Sequence, residues 1–411
     1  MFHWIKGKPK EEPENEVVLE VTAPFNYLDS ESNTGALVGD FDEYEVRIDP
    51  FNQNALNPHV GVIGSGGAGK TNLIKSMLKH ENRDMDRFVI STRGYEFKDV
   101  DNTMVHSKMV INPFHIKTEL KERSFYVLEF FKRFTELKHN PVERFDPFDE
   151  YCLMDFITKF FDKCAHEEIY TISSFERELK AERQLIEEKA DYHMRLFSQA
   201  YQESNKKPHQ FFTNYKEQFN FVEDLNRIGS YKKIEECIAC MRSEDILKYF
   251  DGPSNVYPVM GGITVIDLME LEIHIYKFSK NTPLVITTLL DHLHEKAKCN
   301  SKQERIGKTA IYIDPILDFM SETPFFKKTL QTNMARGRKN NISYRLVGIH
   351  LDREYLEQCH HIIQMGPLTP GSVIDPLKGI EERRYLKWKQ GIIAKGGREF
   401  LYTPFNAKPN K

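Results

Sequence analysis

The segment GSGGAGKT, Gly64 to Thr71, has the residue types and spacing to hold a row of phosphates. Gly64, Ser65, Gly66, Gly67, Ala68 and Gly69 carry little side-chain bulk, so their backbone NH groups can turn inward on an anion. The loop opens a helix, and a helix N-terminus favours negative charge. Lys70 is spaced to reach the β- and γ-phosphates of a nucleotide, and the Thr71 hydroxyl to ligate magnesium. ATP and Mg2+ are the expected cofactors. A plain glycine turn is the alternative, and the strand before the loop and the helix after it argue against that.

A second chemical element lies far downstream. TAIYID reads as a buried strand ending in Asp314, where a carboxylate could hold a magnesium-bound water. A turn-forming aspartate is the bland alternative. Enzymes of this design usually place Glu next, to activate the attacking water, and here the residue is Pro315. If a helix begins there, Asp318 follows one turn on from Asp314 and is the expected substitute. Glu322 and Glu96, in GYEF, are further candidates. Binding should survive the replacement, and hydrolysis should be slow or partner-dependent. ARGRKNN packs Arg336, Arg338 and Lys339 into one turn. It reads either as a solvated basic turn, or as a cluster reaching a neighbour's γ-phosphate or a DNA phosphate. His350 ends the following strand and could sense a γ-phosphate or sit in an ordinary backbone hydrogen bond.

These residues need elements to hold them. EVVLEVTAPF and YEVRIDPF read as short strands separated by a turn-rich stretch over 26–43. HVGVI (59–63), RFVIS (87–91) and KMVI (108–111) read as buried strands, and TNLIKSMLKH as a helix burying Leu73, Ile74, Met77 and Leu78. The strand–helix–strand order starts a parallel sheet. From 118 to 247 the periodicity is helical. One long helix opens with a capping box from Ser173 to Glu176, and its charge run reads as a solvated face. Strands resume with GITVIDL, TAIYID and YRLVGIH, and GIIAK with EFLYTPF suggests a closing hairpin. The expected division is a tail (1–15), a β lead-in (16–58), a first core part (59–117), a helical insertion (118–247), a second core part with the hairpin (248–407) and a tail (408–411).

Composition narrows the partners. A chain of 411 residues with 40% hydrophobic and 29% charged side chains has room for two or three globular domains. A net charge of -4 excludes a freely basic DNA-coating protein, so any DNA contact must be a local patch or a pore lining. No run approaches the ~18 apolar residues of a membrane span, and MFHWIKGKPKEEPENE lacks a signal peptide's apolar core. The six cysteines show no repeated spacing. Cys237 and Cys240 read as helical thiols rather than a zinc site, in a reducing, cytoplasmic setting.

Taken in order, the segments resemble the HerA/FtsK superfamily of ring ATPases, closest to the ATPase domain of conjugation-type (type IV secretion, Vir/Tra-like) motors. The likeness rests on TGALVGDFDEYEVRIDPFNQNALNPHVGVIGSGGAGKT, FVISTRGYEF, INPFHI, YFDGPSN with ITVIDLMEL, and TNMARGRKNNISYRLVGIHL. It implies an α/β, RecA-like P-loop NTPase fold with a mainly parallel sheet and a large helical insertion. It also implies a homo-hexameric ring with nucleotide between subunits, and Arg336 or Arg338 as arginine finger. The implied activity is a motor moving DNA in conjugative transfer or viral genome packaging. A secretion ATPase acting on protein, or a structural nucleotide-binding subunit with little hydrolysis, are the alternatives. A docking partner at a membrane complex or capsid is implied as well. The sequence departs from the family pattern at Ser91, where Asp is common, at Pro315, and at His350, where Gln is usual. The large N-terminal domain of full conjugation ATPases has no counterpart in the roughly sixty residues before the loop.

Overall fold

The computed structural model describes residues 36–41, 44–51, 57–81, 84–117, 119–137, 144–164, 170–203, 221–259, 261–274, 277–302, 307–315, 320, 323–365, 391–395 and 398–404. Its strands are β1 (Ala36–Phe41), β2 (Tyr44–Ile48), β3 (His59–Gly64), β4 (Asp86–Ser91), β5 (Thr103–His106), β6 (Ile263–Asp267), β7 (Glu272–His274), β8 (Lys277–Phe278), β9 (Thr309–Asp314), β10 (Ile342–Gly348), β11 (Cys359–Met365), β12 (Gly391–Lys395) and β13 (Arg398–Pro404). The helices are α1 (Lys70–His80), α2 (Leu120–Glu136), α3 (Pro147–Lys163), α4 (Ile172–Glu203), α5 (Phe221–Ser243), α6 (Thr282–Lys302), α7 (Pro324–Gly337) and α8 (Arg353–Leu356). The chain forms two compact units. One takes Met1–Lys108, Tyr257–Ser279 and Leu293–Lys411, and the other Met109–Val256 and Lys280–His292.

The first unit is built on one sheet in the order β2-β1-β13-β12-β11-β3-β10-β9-β4-β6-β5. Neighbours from β11 across to β5 run parallel, and the hairpin β12–β13 and the pair β1–β2 extend it antiparallel. β3, β4, β9 and β10 are buried at every position. Strands covered on both faces need continuous apolar, β-branched runs rather than alternation, which is what HVGVI, FVI, AIYI and LV supply. α1 buries Leu73, Ile74, Met77 and Leu78 in a core with Val60, Val62, Val89, Tyr312 and Val347. Its basic last turn, Lys79 and His80, suits the carbonyl end of the helix.

Two strand assignments change here. Ala36–Phe41 is a strand inside the stretch read as turns; its Gly and Asp mask it, and a sheet partner some 360 residues away, Thr403–Pro404, makes it a strand. KMVI is not a strand. Val110, Ile111 and Asn112 give their NH groups to Asn255, Tyr249 and Ser254, and the sheet's last strand is instead Thr103–His106, a half-exposed edge. EVVLEVTAPF lies outside the described residues.

The second unit is helical and aromatic. Phe114 packs edge-on or tilted against Phe160, Phe161 and Phe175, and Phe131 stacks on Phe175. α3 starts at a capping box between Asp146 and Asp149 with Pro147 at its first position. α4 starts two residues earlier than its sequence suggested: Thr171 and Ser174 exchange the reciprocal side-chain-to-NH bonds. Ser173 is held by Asp251, and Glu176 pairs with Lys180 and Arg242. The charge run of α4 is not merely solvated. Arg183, Glu187 and Lys189 pair with Glu235, Lys232 and Asp224 of α5, a ladder that joins the two helices.

Candidate nucleotide-binding site

Parallel pairing brings the chemistry to one rim. Gly64 aligns with Met365, Ile63 with Gly348, Ser91 with Asp314, and Ser91 again with Asp267. The ends of β3, β10, β9, β4 and β6 therefore share an edge, and every segment leaving them starts there. The loop Ser65–Gly69 joins β3 to α1. Gly67 (φ 76) and Gly69 (φ 93) adopt left-handed backbone that only glycine takes cheaply, and this winds the loop back over the helix start. Lys70 folds across the loop, its Nζ donating to Gly64 O at 2.6 Å and Ser65 O at 3.0 Å. These carbonyls hold the ammonium over the cradle that a phosphate would fill.

Asp314 is 5% exposed. Burial pushes its carboxyl up to about 7, the charge of Lys70 pulls it down, Glu96 pushes it up, and Arg93 and the Thr71 hydroxyl pull it down. Lys70, Thr71, Arg93 and Glu96 are thus all near enough to act on Asp314. A carboxylate this buried calls for a cation to stay ionised. Thr71 and Asp314, joined by a hydrogen bond, are an oxygen pair of the kind a hard divalent ion takes. The Ser65 hydroxyl, buried and with no hydrogen-bond partner, is a further polar atom in the cradle.

The other candidates fall in different places. His350 lies two residues past β10, exposed on the same rim. Arg336 and Arg338 are exposed at the end of α7, before β10 begins. Gly337 between them abuts His59 at the start of β3, so the cluster occupies the opposite rim. A six-residue strand separates it from its own phosphate loop, roughly 20 Å. Asp318 and Glu322 lie outside the described residues. Arg93 was not singled out from the sequence, because its place depends on β4 lying beside β9. Asp267 was also missed. It is a second acid ending a rim strand, and its Oδ1 accepts from Met269 N at 3.1 Å. Its visible signal was ITVID, the same pattern as IYID. Cys237 and Cys240 sit on α5, and among the described residues no cluster of His, Cys, Asp or Glu has the arrangement of a metal site.

One strand, β10, separates the phosphate-loop strand β3 from the aspartate strand β9. That order, with helices packed on a mainly parallel sheet, is the α/β, RecA-like P-loop NTPase fold. No protein-family model and no curated protein matches the sequence, whereas solved structures do match the fold. VirB4 of Thermoanaerobacter pseudethanolicus superimposes with a TM-score of 0.61 at 12% identity, over 91% of this chain and 96% of that one. The bacterial conjugative coupling protein TrwB, lacking 70 residues at its N-terminus, gives 0.48 at 11% identity, over 93% and 92%. TrwB in complex with the non-hydrolysable ATP analogue ADPNP gives 0.47 at 11% identity, over 89% and 88%.

Proposed function

We propose that this chain is an ATP-hydrolysing motor subunit of the conjugation and secretion type that works in a ring and moves DNA. The observation that carries the reading is the meeting of Lys70, Thr71 and Asp314 at the end of β3 and β9. In this reading the loop NH groups wrap the phosphates, Lys70 leaves its loop carbonyls for the β- and γ-phosphates, and Thr71 and Asp314 hold Mg2+. The metal, when bound, screens charge between the β- and γ-phosphates. His350, on the same rim, is the proposed γ-phosphate sensor.

The position of the arginines supports the ring. Exposed, and at the far end of the sheet from their own loop, Arg336 and Arg338 are available to a neighbouring subunit's nucleotide. DNA is the proposed cargo, gripped by local basic groups, since the chain as a whole is acidic. No helix among the described residues is long and apolar enough to cross a membrane; the proposed docking partner is a membrane complex or capsid.

The test is Mg2+-dependent ATP turnover with and without DNA, beside Lys70→Ala. We expect DNA to raise turnover several-fold, and Lys70→Ala to weaken ATP binding at least ~100-fold through loss of the cationic contact. Turnover that ignores DNA and responds to an unfolded protein would replace DNA by a protein cargo. Unchanged ATP affinity in folded Lys70→Ala would remove the phosphate-loop assignment.

A further inference from the structure

Pro315 leaves Asp314 without an adjacent carboxylate, but the same rim carries another. Glu96 lies in a single 3-10 turn, Gly94–Phe97, just beyond β4, and β4 is the strand whose last residue, Ser91, is in register with Asp314. Both ends of this turn are pinned. A Cβ on Gly94 would come within 2.7 Å of the Asp267 Cβ and 2.9 Å of its Cγ, so the turn can lie against the end of β6 only with glycine there. Phe97 is fully buried in the core with Leu73 and Val89. Ser91 helps from below: its Oγ accepts from Arg93 N at 3.1 Å, and its carbonyl accepts from Leu268 N at 2.8 Å. Between these anchors Tyr95 faces solvent, while the Glu96 side chain stays 27% exposed beside the Arg93 guanidinium, 3.6 Å away. As an ion pair, an i,i+3 contact this open contributes little to stability, so the fold gives no reason of its own for an acid there. The charges of Glu96 and Arg93 both act on Asp314.

We propose that Glu96, presented by the turn after β4, orients and deprotonates the attacking water in place of the carboxylate missing at Pro315, with Arg93 as its positioning residue. This rests on the ATPase reading above. In the step, the water oxygen bonds to the γ-phosphorus while one water proton passes to the Glu96 carboxylate. The bond from the γ-phosphorus to the bridging oxygen breaks, and its electron pair leaves on ADP. The proton then leaves Glu96 for solvent, so ATP and water become ADP and phosphate with nothing else consumed.

The experiment uses the full chain, Mg2+ and ATP, and measures nucleotide affinity and turnover for wild type, Glu96→Gln and Glu96→Asp. Glu96→Gln should lower turnover about 10²–10⁴-fold and leave Mg-nucleotide affinity within about 3-fold. Glu96→Asp, which keeps the charge on a shorter arm, should fall between. Turnover of Glu96→Gln within about 3-fold of wild type overturns the assignment. An equal loss of affinity and turnover does so too, because it would mark a binding or structural role. A wild type that binds Mg-ATP but never hydrolyses it, with or without DNA, also overturns it and leaves the nucleotide site standing. A wild type that binds no nucleotide overturns both.

Discussion

His59 closes the Asn-Pro-His sequence that leads into β3, and it is 1% exposed. Its Nδ1 accepts from Tyr344 N at 3.0 Å, which leaves Nε2 to donate to Met334 O at 2.8 Å. Burial pushes the ring from 6.5 down to about 4, with the Met334 carbonyl pulling the other way. The folded protein therefore holds a neutral imidazole through a range where the unfolded chain takes up a proton. Stability from this site is complete above pH 6.5 and is lost as pH falls toward 4. Between pH 7.5 and 5 we expect the wild type to lose about 2 kcal/mol more than His59→Gln, measured by urea denaturation; parallel pH slopes would contradict this. Because Met334 precedes Arg336 by two residues, the histidine also seats the helix end that displays the arginines. The phosphate loop was legible in the sequence because its chemistry is contiguous, eight residues read in one glance. The work of His59 was not, because its two partners lie 275 and 285 residues away. Glu96 was visible only as one acid among three candidates, and pairing of β4 with β9 gives it a locus.

The segment INPF shows how a short signature shapes an element. Asn112 Oδ1 accepts from Phe114 N at 2.9 Å, while Nδ2 donates to Gly252 O at 2.9 Å and Tyr170 O at 2.5 Å. One fully buried side chain thus caps a turn and ties together three stretches of the helical unit. Asn112→Ala strands the buried Tyr170 carbonyl, the part-buried Gly252 carbonyl and the Phe114 NH, and buried groups of that kind cost about 1–3 kcal/mol each. Allowing for relaxation, we expect a loss of about 2–4 kcal/mol, seen as faster amide hydrogen exchange in α3 and α4. Unchanged protection there would mean the neighbouring helices do not depend on the tie. Elements with a strong internal pattern, β3, β4, β9, β10 and α1, could be read directly, because burial on both strand faces or on one helix face leaves its mark on each residue. β1 and β5 could not. They lie outside the central, doubly covered part of the sheet and need no such pattern. The start of α4 slipped by two residues because Thr171 and Ser174 satisfy the same capping geometry as the Ser173–Glu176 pair that the sequence offered.

At the scale of the molecule, the decisive feature is that the phosphate loop and the arginine turn occupy opposite rims of one sheet. In the proposed ring, a lone chain would hold an incomplete site that its neighbours complete. Mixing Lys70→Ala subunits with subunits carrying Arg336→Ala and Arg338→Ala should restore part of the turnover that each lacks alone, because mixed rings contain intact composite sites. Turnover per chain should also fall on dilution; full activity in a dilute monomer would refute the shared site. The order of the sheet has another effect, on how the chain comes into being. β1, the first described strand, meets the large sheet only through β13, the last. At about 5–20 residues per second, a ribosome needs roughly 20–70 s to deliver that strand. Until then β1 and β2, which share a core with α1 through Ala36 and Ile48, keep open the edge that β13 will occupy, and another nascent chain could pair with it. The yield of native protein should accordingly be set during translation, by whatever shields those first strands.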